Sequence, residues 1–256
     1  MMKNVLLLGS VVWLAGAVSS MAQVTVSTNS VADAFVSSAQ PTNNYGGAGA
    51  LSVSGLVATN ASGQQEGQLD SFLRFNASGA VSQFNIAYGV GQWTITGVTL
   101  TLTEQGAPAQ SLFNRGVGQF QVNWIANDSW TEGTGTPTSP SATGINWNSE
   151  PSILSPGVDQ SLGTFVNGGT NGTVTLSLGL NASFVSDIST GTLVSLYMTA
   201  PTNSTVGFTF NSREFGTASA RPLLSVTAVA VPEPSTVGLV LMAGWLLLVQ
   251  RRIRRG

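Results

Sequence analysis

Apolar and polar residues alternate with a period of two in Val98-Thr99-Leu100-Thr101-Leu102-Thr103 and again in Val174-Thr175-Leu176-Ser177-Leu178. Such alternation sends successive side chains to opposite faces of a strand, Val and Leu toward a core and Thr or Ser toward water. Shorter β-like runs occur at 34–37, 51–53, 71–75, 119–125, 193–199, 206–210 and 223–228, separated by clusters of Gly, Asn, Pro and Ser. This spacing predicts an all-β, jelly-roll-like β-sandwich of at least eight strands over residues 23–229. The stretches 56–68, 77–92 and 134–160 are weakly patterned and rich in turn-forming residues. They read as loops, and no helical stretch of any length is expected inside the domain.

A different pattern marks each end. After Lys3, residues 5–18 form a mainly apolar run, and Ser20-Met21-Ala22 places small residues at the −3 and −1 positions of a cleavage site. Residues 1–22 therefore read as a signal peptide, with the mature chain beginning at Gln23. At the other end, Val231-Pro232-Glu233-Pro234-Ser235-Thr236 precedes an apolar stretch that ends before Arg251, Arg252, Arg254 and Arg255. The prolines hold an extended segment, because they can continue neither a helix nor a ladder. Residues 236–250 are expected to cross a membrane as a helix. The run from Ser235 to Gln250 spans roughly 24 Å as a helix at 1.5 Å per residue, near the lower limit for spanning. The arginine cluster would stay on the cytoplasmic side and leave the β domain outside.

The tail, residues 231–256, resembles the PEP-CTERM sorting signal of Gram-negative bacteria, with Pro232, Glu233 and Pro234 as its motif and the four arginines as its membrane-retention cluster. The resemblance implies an exosortase-type membrane protease as a partner. It also implies export across the inner membrane, a transient anchor through the C-terminal helix, and a final place on the cell surface or in an extracellular matrix. Such proteins typically occur in bacteria that make exopolysaccharide and biofilm.

Composition narrows the chemistry. With no cysteine and no histidine, disulfides, thiolate metal sites, Cys nucleophiles and the Ser-His-Asp triad are all excluded. Between Gln23 and Val231 there is no lysine, and ten Asp and Glu stand against four Arg, an acidic excess of six. That balance disfavours nucleic acid as a partner.

Within the exported region several segments resemble, in order, the DNRLRE-type domain. They run from Ala32-Asp33-Ala34-Phe35-Val36 and Thr42-Asn43-Asn44-Tyr45-Gly46 through Phe72-Leu73-Arg74-Phe75 to Ile95-Thr96-Gly97-Val98. After these come Asn127-Asp128-Ser129-Trp130-Thr131-Glu132, Ile145-Asn146-Trp147-Asn148, Phe210-Asn211-Ser212-Arg213-Glu214 and Arg221-Pro222-Leu223-Leu224. The resemblance implies a secreted β-sandwich related to carbohydrate-binding modules, some of which bind acidic polysaccharides such as alginate. The longer connection at 56–68, a single basic residue in the closing segment and the lack of an attached catalytic domain depart from that pattern.

Asp128, Trp130, Glu132 and Trp147 form the densest acidic and aromatic cluster, with Trp124 just upstream. A Trp ring stacks on a sugar and a carboxylate accepts hydroxyl hydrogen bonds, so these are candidate glycan contacts. Packing beneath a loop is the competing reading. Arg74 and Arg213 are candidates for clamping a uronate carboxyl group, which requires two guanidinium groups converging on one exposed face. Structural ion pairs, Arg221 included, with Asp33 and Glu214 available, are the alternative. Asp33, Asp70, Glu104 and Asp159 are candidate oxygen ligands for a structural calcium ion. No other cofactor is expected. The pairs Glu132 with Glu150 and Asp128 with Glu132 are the carboxylates glycoside hydrolysis would need, and Tyr45, Tyr88 and Tyr197 are the only bases a lyase could use.

The reading reached is a non-catalytic surface or matrix protein that associates with extracellular polysaccharide after processing. The alternative is a structural or adhesive matrix protein contacting proteins or itself, and a polysaccharide-degrading enzyme is third. A binding module should expose aromatic and Arg residues on one face. A structural protein should bury Trp124, Trp130 and Trp147 and leave Thr and Ser outside.

Overall fold

Two antiparallel sheets face each other in the computed structural model, which describes residues 22–60, 62–105, 117–168, 172–231 and 244–245. The strands are β1 (Gln23–Asn29), β2 (Ala32–Ser37), β3 (Ala50–Ser54), β4 (Leu69–Asn76), β5 (Trp93–Thr103) and β6 (Gly118–Ile125), then β7 (Gln160–Asn167), β8 (Thr173–Ser177), β9 (Leu193–Thr199), β10 (Gly207–Asn211) and β11 (Leu223–Ala230). The smaller sheet runs β1-β11-β5-β8, and the larger runs β10-β3-β4-β9-β6-β7 with β2 also paired to β4. First and last strands are neighbours, registered from Gln23↔Val229 to Asn29↔Leu223. The all-β sandwich expected from the alternation is therefore the architecture.

Period two explains the smaller sheet. Val98, Leu100 and Leu102 of β5, and Val226 and Ala228 of β11, point inward and are buried. Their neighbours Thr99, Thr101, Thr103, Ser225 and Thr227 point out. Thr25 pairs with Thr227, Ser27 with Ser225 and Thr101 with Thr175 by side-chain hydrogen bonds across this outer face. The core between the sheets is completed from the larger sheet by Phe75, Phe120, Phe208 and Phe210, whose rings pack at 5.7–5.8 Å from Phe120 for the last two. Each fully buried ring of this size contributes about 2–3 kcal/mol by removal from water.

In the larger sheet β2, β3, β4 and β10 are buried on both faces, whereas β6 and β7 keep exposed positions. All six residues of β2 are inaccessible, because the long segment between β6 and β7 folds over the outside. A second apolar cluster of Val36, Phe72, Ile125, Trp130 and Ile145 lies there. Strands buried on both sides read as continuous apolar runs, which is why 34–37 shows no alternation.

Three helices contradict the expectation of a helix-free domain: α1 (Ser78–Tyr88), α2 (Glu150–Ile153) and α3 (Ala182–Thr190). α1 buries only Ala80 and Phe84, and α3 only Phe184 and Ile188. A two-residue i, i+4 stripe among Ser, Asn and Gln is too narrow to stand out in sequence. β7 also went unread. Gly163 interrupts its pattern, and the register with β6 shifts between Val122 and Asn123, so a bulge breaks the alternation.

Among the described residues no helix is long and apolar enough to cross a membrane. Residues 1–21, the sorting motif Pro232, Glu233 and Pro234, the cluster Arg251, Arg252, Arg254 and Arg255, and the span 236–250 apart from 244–245 lie outside the described residues.

Candidate functional site

The segment from Ala126 to Asp159 carries most of the chemistry read from the sequence, and a buried asparagine ties it down. Asn44, fully buried, donates both amide hydrogens, to the carbonyls of Glu132 and Ile145, while its Oδ1 accepts from the N–H groups of Gly46 and Gly135. The chains come so close here that a Cβ on Gly135 would lie 1.9 Å from the Asn44 carbonyl oxygen. Every polar atom of the Asn44 amide is used, so it acts as a pin between the covering segment and the connection from β2 to β3.

Arg74 and Trp130 are brought together. The Arg74 guanidinium lies 4.7 Å from the Trp130 ring centroid, and its Nη1 donates to the carbonyls of Asp128 (2.6 Å) and Trp130 (2.8 Å). Trp130 is 3% exposed; its indole N–H donates to Ser195 Oγ and its ring packs on Phe72. Trp124 is 5% exposed and donates to Asp187 Oδ2. Trp147 is half-buried against the second apolar cluster. Trp130 and Trp147 thus pack with the covering segment, and Trp124 belongs to the core between the sheets.

Arg213 and Glu132 form a separate network. Arg213 Nε and Nη2 donate to Glu132 Oε1 and Oε2 at 2.6 and 2.7 Å, and Nε also reaches Glu214 Oε1 at 2.8 Å. The Arg213 backbone N–H and Ser30 Oγ donate to Asp33 Oδ2. Asp33 is fully buried, and its burial pushes its pKa up to about 7 despite those donors. Oxygens of Asp33, Glu132 and Glu214 lie within 4.8 Å of one another, a spacing a metal ion could use. The guanidinium already bridges both glutamates, so the positive charge among these carboxylates is arginine's. Arg74 and Arg213 are thus bound to different partners and do not converge on one ligand.

The four acidic residues read as calcium ligands are dispersed. Asp33 sits in the arginine network, Glu104 accepts from Asn167, and Asp159 accepts from the N–H groups of Ala126 and Ser155. Asp70 lies beneath α2 near Glu150, whose Oε1 accepts from the Tyr197 hydroxyl at 2.6 Å. Desolvation, and then their mutual repulsion in Glu150's case, raises Asp70 to about 6 and Glu150 to about 7. Tyr197 is pushed far above its usual range, chiefly by burial. Glu132 and Glu150 belong to different networks, and each is already hydrogen-bonded within the fold.

Open surface lies beside Asp128. β4 ends at Asn76, whose Oδ1 accepts from Ser78 N–H at the start of α1. α3 ends at Gly191, whose left-handed φ of 72° turns the chain into β9. These two helix ends and the turn at Asn127–Ser129 frame three adjoining shallow depressions. Asp128 lines two of them, and Ser78 and Gly191 also line two. The rims offer Asn76, Asn85, Asn127, Ser129 and Thr192, with Ile86, 75% exposed, at one end. Of this groove the sequence pointed only to Asp128; the rest comes from strand ends far apart in the chain. A model of carbohydrate-binding module family 96 matches residues 24–228, from within β1 to within β11. No curated protein matches the chain.

Proposed function

As the chain belongs to carbohydrate-binding module family 96, we propose that it is a non-catalytic module that associates with extracellular polysaccharide. The observation that carries this reading is the match across the whole sandwich. The absence of histidine and cysteine and the commitment of Glu132 and Glu150 to internal hydrogen bonds favour binding over hydrolysis. Of the six residues read as glycan contacts, Asp128 is the one we assign to the ligand. Arg74, Trp130, Trp147, Glu132 and Arg213 hold the covering segment in place.

Delivery follows the two ends of the chain. Residues 1–22 direct export, and residues 231–256 serve as the substrate of an exosortase-type protease that acts at Pro232-Glu233-Pro234. The domain then reaches the surface or matrix of a Gram-negative cell. Co-expression with such a protease should shorten the wild-type chain and release it from the membrane. A triple Ala substitution of the motif should leave it full-length and membrane-bound, and equal processing of both would refute this part.

Retention of the purified protein by at least one polysaccharide in an affinity electrophoresis panel is the test of the binding role; no retention by any would refute it. A structural or adhesive role is the second reading. The buried Trp124 and Trp130 and the Thr and Ser outer face of the smaller sheet favour it, and concentration-dependent self-association without glycan retention would select it.

A further inference from the structure

Polysaccharide ligands divide by charge, and the groove beside Asp128 has a definite character in that respect. We infer that the groove framed by the start of α1, the end of α3 and the Asn127–Ser129 turn is the glycan site, and that it takes neutral rather than uronate- or sulfate-bearing chains. The inference rests on the carbohydrate-binding reading and goes further by naming place and ligand class.

Hydroxyls and amides dominate the rims: Asn85 and Asn127 have their Oδ1 atoms engaged within the fold and keep amide donors for a ligand, while the hydroxyl oxygens of Ser78, Ser129 and Thr192 can accept from sugar hydroxyls. Asp128, half-buried with Oδ1 out of solvent, adds a carboxylate to the wall, and Ile86 with Val81 adds an apolar surface suited to the C–H face of a pyranose ring. No group in the walls carries positive charge. The nearest guanidinium, Arg74, lies stacked on Trp130 with Nη1 given to two carbonyls, and its Nε is buried away from solvent. Arg213 is held by two glutamates and Arg221 Nε donates to the Phe215 carbonyl. No lysine occurs between Gln23 and Val231. Meanwhile Asp187 lies close enough to Asp128 to raise its pKa, after burial. A polyanion entering here would meet the Asp128 carboxylate with Asp187 behind it; Arg74 offsets part of that charge but its Nη1 is given to two carbonyls, and no other arginine among the described residues lies near the groove, within a domain of net acidic charge.

The test uses the full-length chain in mild detergent, assayed against neutral glucans, mannans and galactans and against alginate, polygalacturonate and heparin. Neutral chains should be retained and acidic ones not. Retention should survive a calcium chelator and change little between about 50 and about 500 mM NaCl, since no ion pair contributes. Ser78→Trp and Ser129→Trp fill the groove from exposed positions and should weaken binding at least tenfold, with unfolding midpoints unchanged. Thr25→Trp, on the outer face of the smaller sheet, should bind as wild type. Tighter retention of an acidic chain overturns the charge argument. Neutral binding that withstands both groove substitutions, or is lost in Thr25→Trp instead, overturns the location while leaving the binding role intact. No retention at all refutes both.

Discussion

Removing a charge from the interior should make this protein more stable. Glu150 and Asp70 are 6% and 1% exposed, with Glu150 Oε2 and Asp70 Oδ1 lacking hydrogen-bond partners and no cation bonded to either. The Glu150 carboxyl is raised from 4.5 to about 7, first by desolvation and then by Asp70. A raised carboxyl pKa means the fold prefers the protonated form. The stability it contributes is complete below about pH 4.5 and is lost as pH rises through 7. At 1.36 kcal/mol per pKa unit that gap corresponds to about 3 kcal/mol of destabilisation at pH 8. Glu150→Gln keeps an oxygen to accept from Tyr197 and removes the repulsion with Asp70. The variant should gain about 2–3 kcal/mol at pH 8, raising Tm by about 4–12 °C for a domain of this size. At pH 4 the gain should be close to zero. Differential scanning calorimetry of both proteins across that range measures it. A variant no more stable than wild type at pH 8, or one equally stabilised at pH 4, would refute the assignment of a buried, uncompensated charge.

Other outcomes follow from the same contacts. Trp130→Ala removes a buried indole, its bond to Ser195 and its stacking on Arg74, and should cost about 3–5 kcal/mol in urea unfolding. Arg213→Ala leaves Asp33, Glu132 and Glu214 without their shared cation. Because the Arg213 side chain is 38% exposed, the loss should be about 2 kcal/mol, with Arg213→Lys recovering only part because an ammonium cannot bond both Glu132 oxygens in parallel. Asn44→Ala unpins the covering segment and should cost about 3 kcal/mol or more, with limited proteolysis cutting first between Ala126 and Asp159.

Much of the sandwich was legible because the smaller sheet has one wet face. Thr99, Thr101 and Thr103 against Val98, Leu100 and Leu102 give a period that no helix reproduces. β9 coincides with the run read at 193–199, since it is a central strand bounded by Gly191 and Pro201. α1 and α3 were not legible, because each buries only two side chains, and the other apolar residues, Val81, Ile86 and Tyr88 on α1 and Val185 on α3, are partly or fully exposed and blur the stripe. Among candidate site residues, the tryptophans and arginines were found as a cluster, but whether a ring stacks on sugar or on Arg74 is not a property of spacing.

By itself the sequence determined the class and its exclusions: a strand period with one buried face, and a domain without lysine, cysteine or histidine. Those are local or compositional properties, readable from neighbours in the chain. Only the tertiary structure decided which polar groups are spent inside the fold and which remain for a ligand. Asp128 lines the groove half-buried, with Oδ1 out of solvent, because Arg74, Ser195 and the ends of α1, α3 and β4 meet around it, whereas Glu132, four residues later, is bound by Arg213 from 81 positions away. Burial and pairing depend on contacts between distant segments, and such contacts leave no local pattern in the chain.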